Sequence, residues 1–477
     1  MKKNDLSPEA FRFEGKMSLK QALPLGMQHV LAMFVGNLTP LLIITGACGL
    51  AGGEFADLRV TLLQNAMLVA GIVTLVQLYS IGPIGGKVPI IMGTSSGFIG
   101  VFSSVAASMG GGVLAYGAIM GASLIGGLFE TVLGFFLKPL RKLLPSVVTG
   151  TVVLSIGLSL ISVGVNSFGG GNTAQDFGSV ENLLLAIFVL VVILICKHSG
   201  STFLNSSSIL VGIICGYIAA FLMGLVLPTT VLNAEGVAYT KAWVLNWNKV
   251  AEAKWFALPQ LMPVKPVFDM RAIAPVMIMF IVTAVETVGD ISGVIMGGMD
   301  REATDTELSG GVICDGIGSS FAALFGVLPN TSFSQNVGLV SMTKVVNRKV
   351  ILSGGLILVL ASFVPAIAEV FNSLPQAVLG GCTIMMFGNI ILSGFQMIAE
   401  AGFTQRNITI AALSLTIGIG FTQVSDIFTQ FPALFQQIFA SNCIAVAFVV
   451  AVILNTVLPS EEHFLSAPKE APAADAE

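Results

Sequence analysis

Charge is what this sequence has least of. Asp, Glu, Lys and Arg together make up 10% of its 477 residues, against about a quarter in a soluble domain, and no water-facing surface can be built from so few. Histidine occurs three times and never in a cluster. The six cysteines, Cys48, Cys196, Cys215, Cys314, Cys382 and Cys443, fall in or beside apolar runs and form no C-x-x-C pair. Metal and thiol redox chemistry are therefore not expected, and the cysteines read as small buried side chains. There is no G-x-x-x-x-G-K-[ST] stretch to cradle a nucleotide, so energy for any work must come from an ion gradient. No cofactor is expected, and no basic patch interleaved with aromatics suggests nucleic acid. The first 20 residues are polar and lack a short apolar core, so the first apolar run, rather than a cleaved leader, is expected to direct membrane insertion.

What is there is apolar: 55% of residues are hydrophobic and the mean hydropathy is +0.90. The natural solvent for most of the chain is lipid. A spanning helix needs about 20 apolar residues, and by that measure about fourteen spans are expected, centred near residues 35, 70, 98, 125, 155, 189, 217, 284, 317, 338, 360, 387, 414 and 448. The expected fold is an all-α polytopic membrane protein, with a polar N-terminal segment 1–22, a long loop 229–270 dividing two sets of seven spans, and a polar tail 460–477. Lys2, Lys3, Arg12, Lys16, Lys20, Lys87, Lys138, Arg141, Lys142, Lys197, Lys344, Arg348 and Lys349 all fall on one side of such an arrangement. Asp176 and Glu181 fall on the other, so both termini are expected in the cytoplasm and loop 229–270 outside.

The two halves echo each other. Leu144-Pro145-x-x-Val148-x-Gly150 recurs as Leu374-Pro375-x-x-Val378-x-Gly380, and Val88-Pro89 before the third span matches Leu328-Pro329 before the tenth. Seven spans is an odd number, so the second copy starts from the opposite side, which makes an inverted repeat. Residues 88–100 (VPIIMGTSSGFIG) and 327–340 (VLPNTSFSQNVGLV) are poor spanning helices. Each reads as a short extended stretch followed by a half-helix, starting near Ser95–Gly97 and near Ser334–Gln335. Non-helical backbone at this depth must be buried or line a cavity, and two half-helix N-termini in matching places point to a substrate site.

Carboxylates inside apolar spans cost about 2.5–3.5 kcal/mol each on insertion scales, which makes them functional candidates. Glu286 and Asp290 are one turn apart on one helix face. Two such groups in a low dielectric do not both carry charge, so the pair is expected to bind and release a coupling proton. Glu286 is expected to accept N–H groups of a ligand and Asp290 to serve coupling or site organisation, with Asp315 beside them. Glu130 reads rather as a helix–helix hydrogen-bonding residue. His29, at the start of the first span, is a further titratable candidate.

At this point the residues resemble a known family. Gln335-Asn336-x-Gly338-x-x-x-x-Thr343-Lys344, with Gln28-His29, Glu286-Thr287-x-Gly289-Asp290 and Asp315-Gly316 in order, is similar to the nucleobase–ascorbate transporters, the second type of nucleobase:cation symporter, from about residue 17 to 457. The resemblance implies two inverted seven-span repeats with short strands in spans three and ten, core regions 23–137 and 271–370, gate regions 138–228 and 371–459, and a homodimer. It implies that Glu286 and Gln335 bind the base, with Ser95, Ser96, Gly97, Phe98 and Ser334 around it. Asp290, Asp315, His29 and Asn336 would serve coupling or site geometry, and Gly338, Thr343 and Lys344 specificity. A glutamine at 335 resembles the xanthine and uric acid carriers; the uracil carriers have glutamate there. Many relatives carry an aromatic residue where Ser96 aligns, so either a stacking wall is absent and a larger base fits, or the register shifts toward Phe98. The expected activity is proton-coupled symport of a purine base such as xanthine or uric acid. The alternatives are a uracil carrier, an anion transporter of related architecture, which Glu286 argues against, and an intramembrane enzyme, for which no nucleophile–base or metal set is visible.

Overall fold

The computed structural model describes residues 8–137, 145–171, 174–232, 236–245, 250–432, 435–436, 439 and 442–459. Lys2, Lys3, Lys138, Arg141, Lys142, Leu144 and the tail 460–477 lie outside the described residues. In chain order the α-helices of eight residues or more are α1 (Leu19–Ala47), α2 (Ala56–Tyr79), α3 (Ile99–Ser108), α4 (Gly112–Phe135), α5 (Ser146–Ser159), α6 (Ile161–Phe168), α7 (Val180–Lys197), α8 (Ser208–Val226), α9 (Met270–Met299), α10 (Asp305–Leu324), α11 (Ser334–Thr343), α12 (Arg348–Ala361), α13 (Pro365–Asn372), α14 (Gln376–Ala401), α15 (Gln405–Gln423) and α16 (Cys443–Val457). The strands are β1 (Met92–Thr94), β2 (Thr230–Leu232), β3 (Ala238–Thr240) and β4 (Asn330–Ser332). Among the described residues eight helices are long and apolar enough to cross a membrane, or nine if a bent pair counts as one span. This is a multi-pass membrane protein.

With lipid as the outer solvent, helices are held together less by a hydrophobic difference than by close backbone approach. Glycines provide it. A Cβ on Gly127 of α4 would come within 2.5 Å of the Gly316 carbonyl of α10, and one on Gly71 of α2 within 2.7 Å of the Gly355 carbonyl of α12. Between α5 and α14, a Cβ on Gly150 would lie 2.9 Å from the Gly394 carbonyl and one on Gly157 2.6 Å from Ile391 Cγ1. By contrast only 28% of the α7 and α8 spans is buried, and side chains such as Leu184, Ile195, Ile218 and Leu225 are exposed.

Two expectations about the spans are corrected. The half-helix α3 begins at Ile99, not at Ser95–Gly97. Ser95 N donates to Pro329 O at 2.8 Å and the Ser95 hydroxyl accepts Gly97 N at 3.3 Å, so the chain runs through a turn before the helix can start. The span centred near 360 is not one helix: α12 and α13 are bent by 82°. Pro365 sits at the first turn of α13, where its fixed φ starts a helix but cannot continue one. The freed carbonyl of Ser362 accepts Gln64 Nε2 at 2.9 Å.

Two further segments are tied down by their backbone. In the N-terminal segment, the Asn347 side-chain amide donates to the carbonyls of Glu9, Arg12 and Gly15 at 2.8, 3.1 and 3.0 Å, and Ala10 O accepts Val346 N at 3.1 Å. Asn347 is fully buried and lies four residues beyond the end of α11. In loop 229–270 the hairpin β2–β3 was not anticipated. Asp176 accepts Ala242 N at 3.1 Å and Lys241 pairs with Glu181 at 2.5 Å. Farther along, Asn65 Nδ2 donates to Gln260 O at 2.7 Å, and Val267 N to Gly117 O at 2.8 Å.

Candidate functional site

The two interrupted spans meet. β1 and β4 pair antiparallel, with Met92 opposite Ser332, Gly93 opposite Thr331 and Thr94 opposite Asn330, and Phe333 N extends the ladder to Ile91 O at 3.0 Å. Strands this short survive among apolar helices because neighbouring side chains take up their remaining polar groups. Asn37 of α1 accepts Thr94 N at 2.8 Å and the Thr94 hydroxyl at 3.1 Å. Thr74 of α2 accepts Met92 N at 2.9 Å. Ser319 of α10 accepts Asn330 N at 3.1 Å and donates to Asn330 O at 2.9 Å.

One face of α9 carries Thr283, Glu286, Thr287 and Asp290, at the three- and four-residue spacing that stacks side chains. Thr283 donates to Glu130 of α4 at 3.1 Å. Thr287 donates to Asp315 Oδ2 of α10 in a short hydrogen bond, which the Thr331 hydroxyl joins at 3.2 Å. Asp290 accepts from Ser332 at 2.7 Å and from Ser334 at 2.9 Å. Glu286 is the exception. It is half-buried, its Oε2 is shielded from solvent and has no partner. Facing it is the turn after β1: a Cβ on Gly97 would lie 4.0 Å from Glu286 Oε2 and 3.4 Å from Ser95 Oγ.

α11 runs alongside α9 in the same direction, in register with it: Ser334 contacts Asp290, a Cβ on Gly293 would meet Val337 Cγ1 at 3.1 Å and one on Gly297 would meet Ser341 Oγ at 2.1 Å. Gln335 therefore opens α11 beside Asp290, about one turn from Glu286. Its side chain is half-buried and makes no hydrogen bond among the described residues. The next residue, Asn336, is buried and donates to both the carbonyl and Nδ1 of His29, each at 3.0 Å. His29 Nδ1 is thus an acceptor, which assigns the ring proton to Nε2.

The structure brings Ser95, Gly97, Glu286, Asp290, Asp315, Ser334, Gln335, Asn336 and His29 around the strand junction. Ser96 lies on the same turn as Gly97. Phe98 is fully buried, its ring stacked on Phe102 at 5.2 Å and tilted against Phe280 at 4.8 Å. Gly338 faces open space. Thr343 and Lys344 end α11, about 15 Å along its axis; Thr343 bonds Leu339 O at 2.7 Å and Lys344 pairs with Asp300 at 2.8 Å. Residues given no role from the sequence, Asn37, Thr74, Thr331, Ser319 and Ser332, hold the junction, and Thr283 ties α9 to Glu130 of α4. Their only signal was polarity within an apolar run. No cluster of His, Cys, Asp and Glu suited to a metal occurs among the described residues.

A pair of interrupted spans crossing at a buried acid, within a bundle of apolar helices, defines a membrane transporter, not an enzyme. The chain matches the Permease family model over residues 20–427, and it belongs to that family. It is 34% identical to the uric acid permease PucJ of Bacillus subtilis, over 94% of this chain and 98% of that one. It is 30% identical to the xanthine permease XanP of Escherichia coli, over 95% of each. Among solved structures, the transmembrane domain of the cyanobacterial bicarbonate transporter BicA superposes with a TM-score of 0.59 at 15% identity, covering 92% of this chain and 97% of that one, which speaks to the fold.

Proposed function

We propose that this protein is a proton-coupled symporter that carries a purine base, xanthine or uric acid, across the plasma membrane by alternating access. The observation that carries this reading is Glu286: a shielded carboxylate without a partner, next to the equally unpartnered amide of Gln335, where two interrupted spans cross. An oxopurine edge alternates N–H donors and carbonyl acceptors. A carboxylate accepts the first, and an amide both donates and accepts. Ser95, Ser96, Gly97 and Ser334 complete the surround, with Phe98 behind them. Asp290 and Glu286 form the proton-carrying pair, while Asp315, Asn336 and His29 keep the geometry. Gly338, Thr343 and Lys344 act on specificity from a distance. Relatives that carry xanthine and uric acid support the substrate class. A uracil carrier is the alternative, and the neutral amide at 335 favours the oxopurine.

The same reading takes the fourteen spans as two inverted repeats. Thr74 of α2 bonding β1 and Ser319 of α10 bonding β4 are the matching braces such a repeat calls for. Residues 23–137 and 271–370 then form the core, 138–228 and 371–459 the gate, with both termini cytoplasmic and two copies forming a homodimer. The test is uptake of labelled xanthine, uric acid, guanine and uracil in acid and alkaline buffer, with and without a protonophore. Saturable purine uptake that the protonophore collapses is expected; uptake indifferent to it would remove proton coupling.

A further inference from the structure

The close packing of α5 on α14 leaves two side chains of this pair directed at the site. On α14, Met397 rests against α9: a Cβ on Gly289 would fall 2.3 Å from its Cε. On α5, Ile156 rests against the turn after β1: its Cδ1 lies 3.6 Å from where a Cβ on Gly97 would stand, and Glu286 Oε2 is 4.0 Å from that same point. Gly97 and Gly289 bracket Glu286, one across from it and the other three residues on. Ile156 is 1% exposed and belongs to none of the polar braces. It is the α5 side chain whose apolar tip shares a contact point with the shielded carboxylate.

We infer that Ile156 is a specificity-determining residue, the gate-side wall that limits how large a substituent the bound ring can carry on the side facing Gly97. This rests on the purine-carrier reading above. Ile156 Cδ1 and Glu286 Oε2 converge on the same point at Gly97, so a ring held by Glu286 meets an apolar tip beside the carboxylate that grips it. A branched aliphatic tip against a residue with no side chain is a steric stop with no hydrogen bond to offer. Specificity then comes from shape at that flank and from polar pairing at Glu286 and Gln335. A gap or clash of one methyl group in an apolar pocket changes binding on the order of tenfold.

The experiment is competition by a set of methyl-substituted oxopurines against labelled xanthine uptake, in cells producing the parent protein, Ile156→Ala, Ile156→Val and, as a control, Leu154→Ala. Leu154 is two residues away on α5, buried, and packs against Gly394 of α14. Membrane abundance is measured for each. Ile156→Ala is expected to tighten inhibition by at least one bulkier analogue roughly tenfold relative to xanthine itself, with Ile156→Val intermediate. Leu154→Ala is expected to leave that ratio at the parent value. Unchanged ratios in both Ile156 variants overturn the inference, as does the same shift in Leu154→Ala. Should Ile156→Ala not reach the membrane, Ile156→Val decides alone. Two parallel measurements separate the claims: loss of uptake in Glu286→Gln with unchanged Ile156 ratios sinks only the wall, whereas a parent protein that takes up no labelled purine sinks the carrier reading.

Discussion

Ser334 donates its hydroxyl to both carboxylate oxygens of Asp290, at 2.9 and 3.1 Å. The first residue of α11 is thereby pinned to α9 one turn beyond Glu286, and Gln335 follows it into place. Asp290 is engaged by Ser332 and Ser334, whereas Glu286 Oε2 has no partner among the described residues.

Glu286→Gln keeps the size of the side chain and removes the acceptor charge. Charge-assisted hydrogen bonds contribute about 1.5–3 kcal/mol, so uptake is expected to fall at least tenfold and toward background, with membrane abundance near that of the parent. Normal uptake by immunoblot-matched cells would remove Glu286 from the site.

Gln335→Glu places a third acid beside Glu286 and Asp290. Xanthine uptake is expected to weaken by roughly tenfold or more, and uracil to become an inhibitor. Unaltered xanthine affinity in a competition assay would mean that residue 335 does not touch the base.

Thr287→Val deletes one of the two hydroxyls that donate to Asp315 Oδ2, leaving that of Thr331, at a cost of about 0.5–1.5 kcal/mol. Uptake is expected to fall while Thr287→Ser restores most of it. Equal loss in both variants would point to packing of the methyl group instead.

Asn347→Ala breaks three hydrogen bonds to the N-terminal segment. The melting temperature of purified protein in detergent is expected to drop, and uptake to lose apparent affinity because the far end of α11 is freed. A melting curve superimposable on the parent's would show that the segment is dispensable.

Asp269 lies outside the spans, at the start of α9, where hydrogen bonds from Arg271 hold its carboxyl down at about 2. A depressed value means that its contribution is complete above the ordinary carboxylate range near about 4 and fades only as pH falls through about 2. Asp269→Asn is expected to leave the pH profile of uptake unchanged, whereas Asp290→Asn is expected to flatten it. A shifted profile in Asp269→Asn would implicate the segment that leads into α9 in pH sensing.

Much of the site could be read from the chain because it breaks rules of membrane sequences: proline followed by Ser, Thr and Gly inside an apolar run, and two acids a turn apart. Those signals are local. The braces are not: Asn37 and Thr94 are 57 residues apart, Thr287 and Asp315 28 apart, and a lone Asn or Thr in an apolar helix does not announce which neighbour it meets. The start of α3 was misplaced because Ser95 reads as a helix cap but spends its backbone N–H on the opposite strand. The sharp bend before α13 was carried by Pro365, whose effect on direction depends on the packing of Ser362 against Gln64.

β1 and β4 come from opposite halves of the polypeptide, yet each completes the other's backbone pairing. Neither half can therefore present a finished binding surface alone, and a chain severed within residues 246–249 would regain activity only when both fragments are made in the same cell. The strand pair works as a seam that stitches the two halves of the polypeptide together.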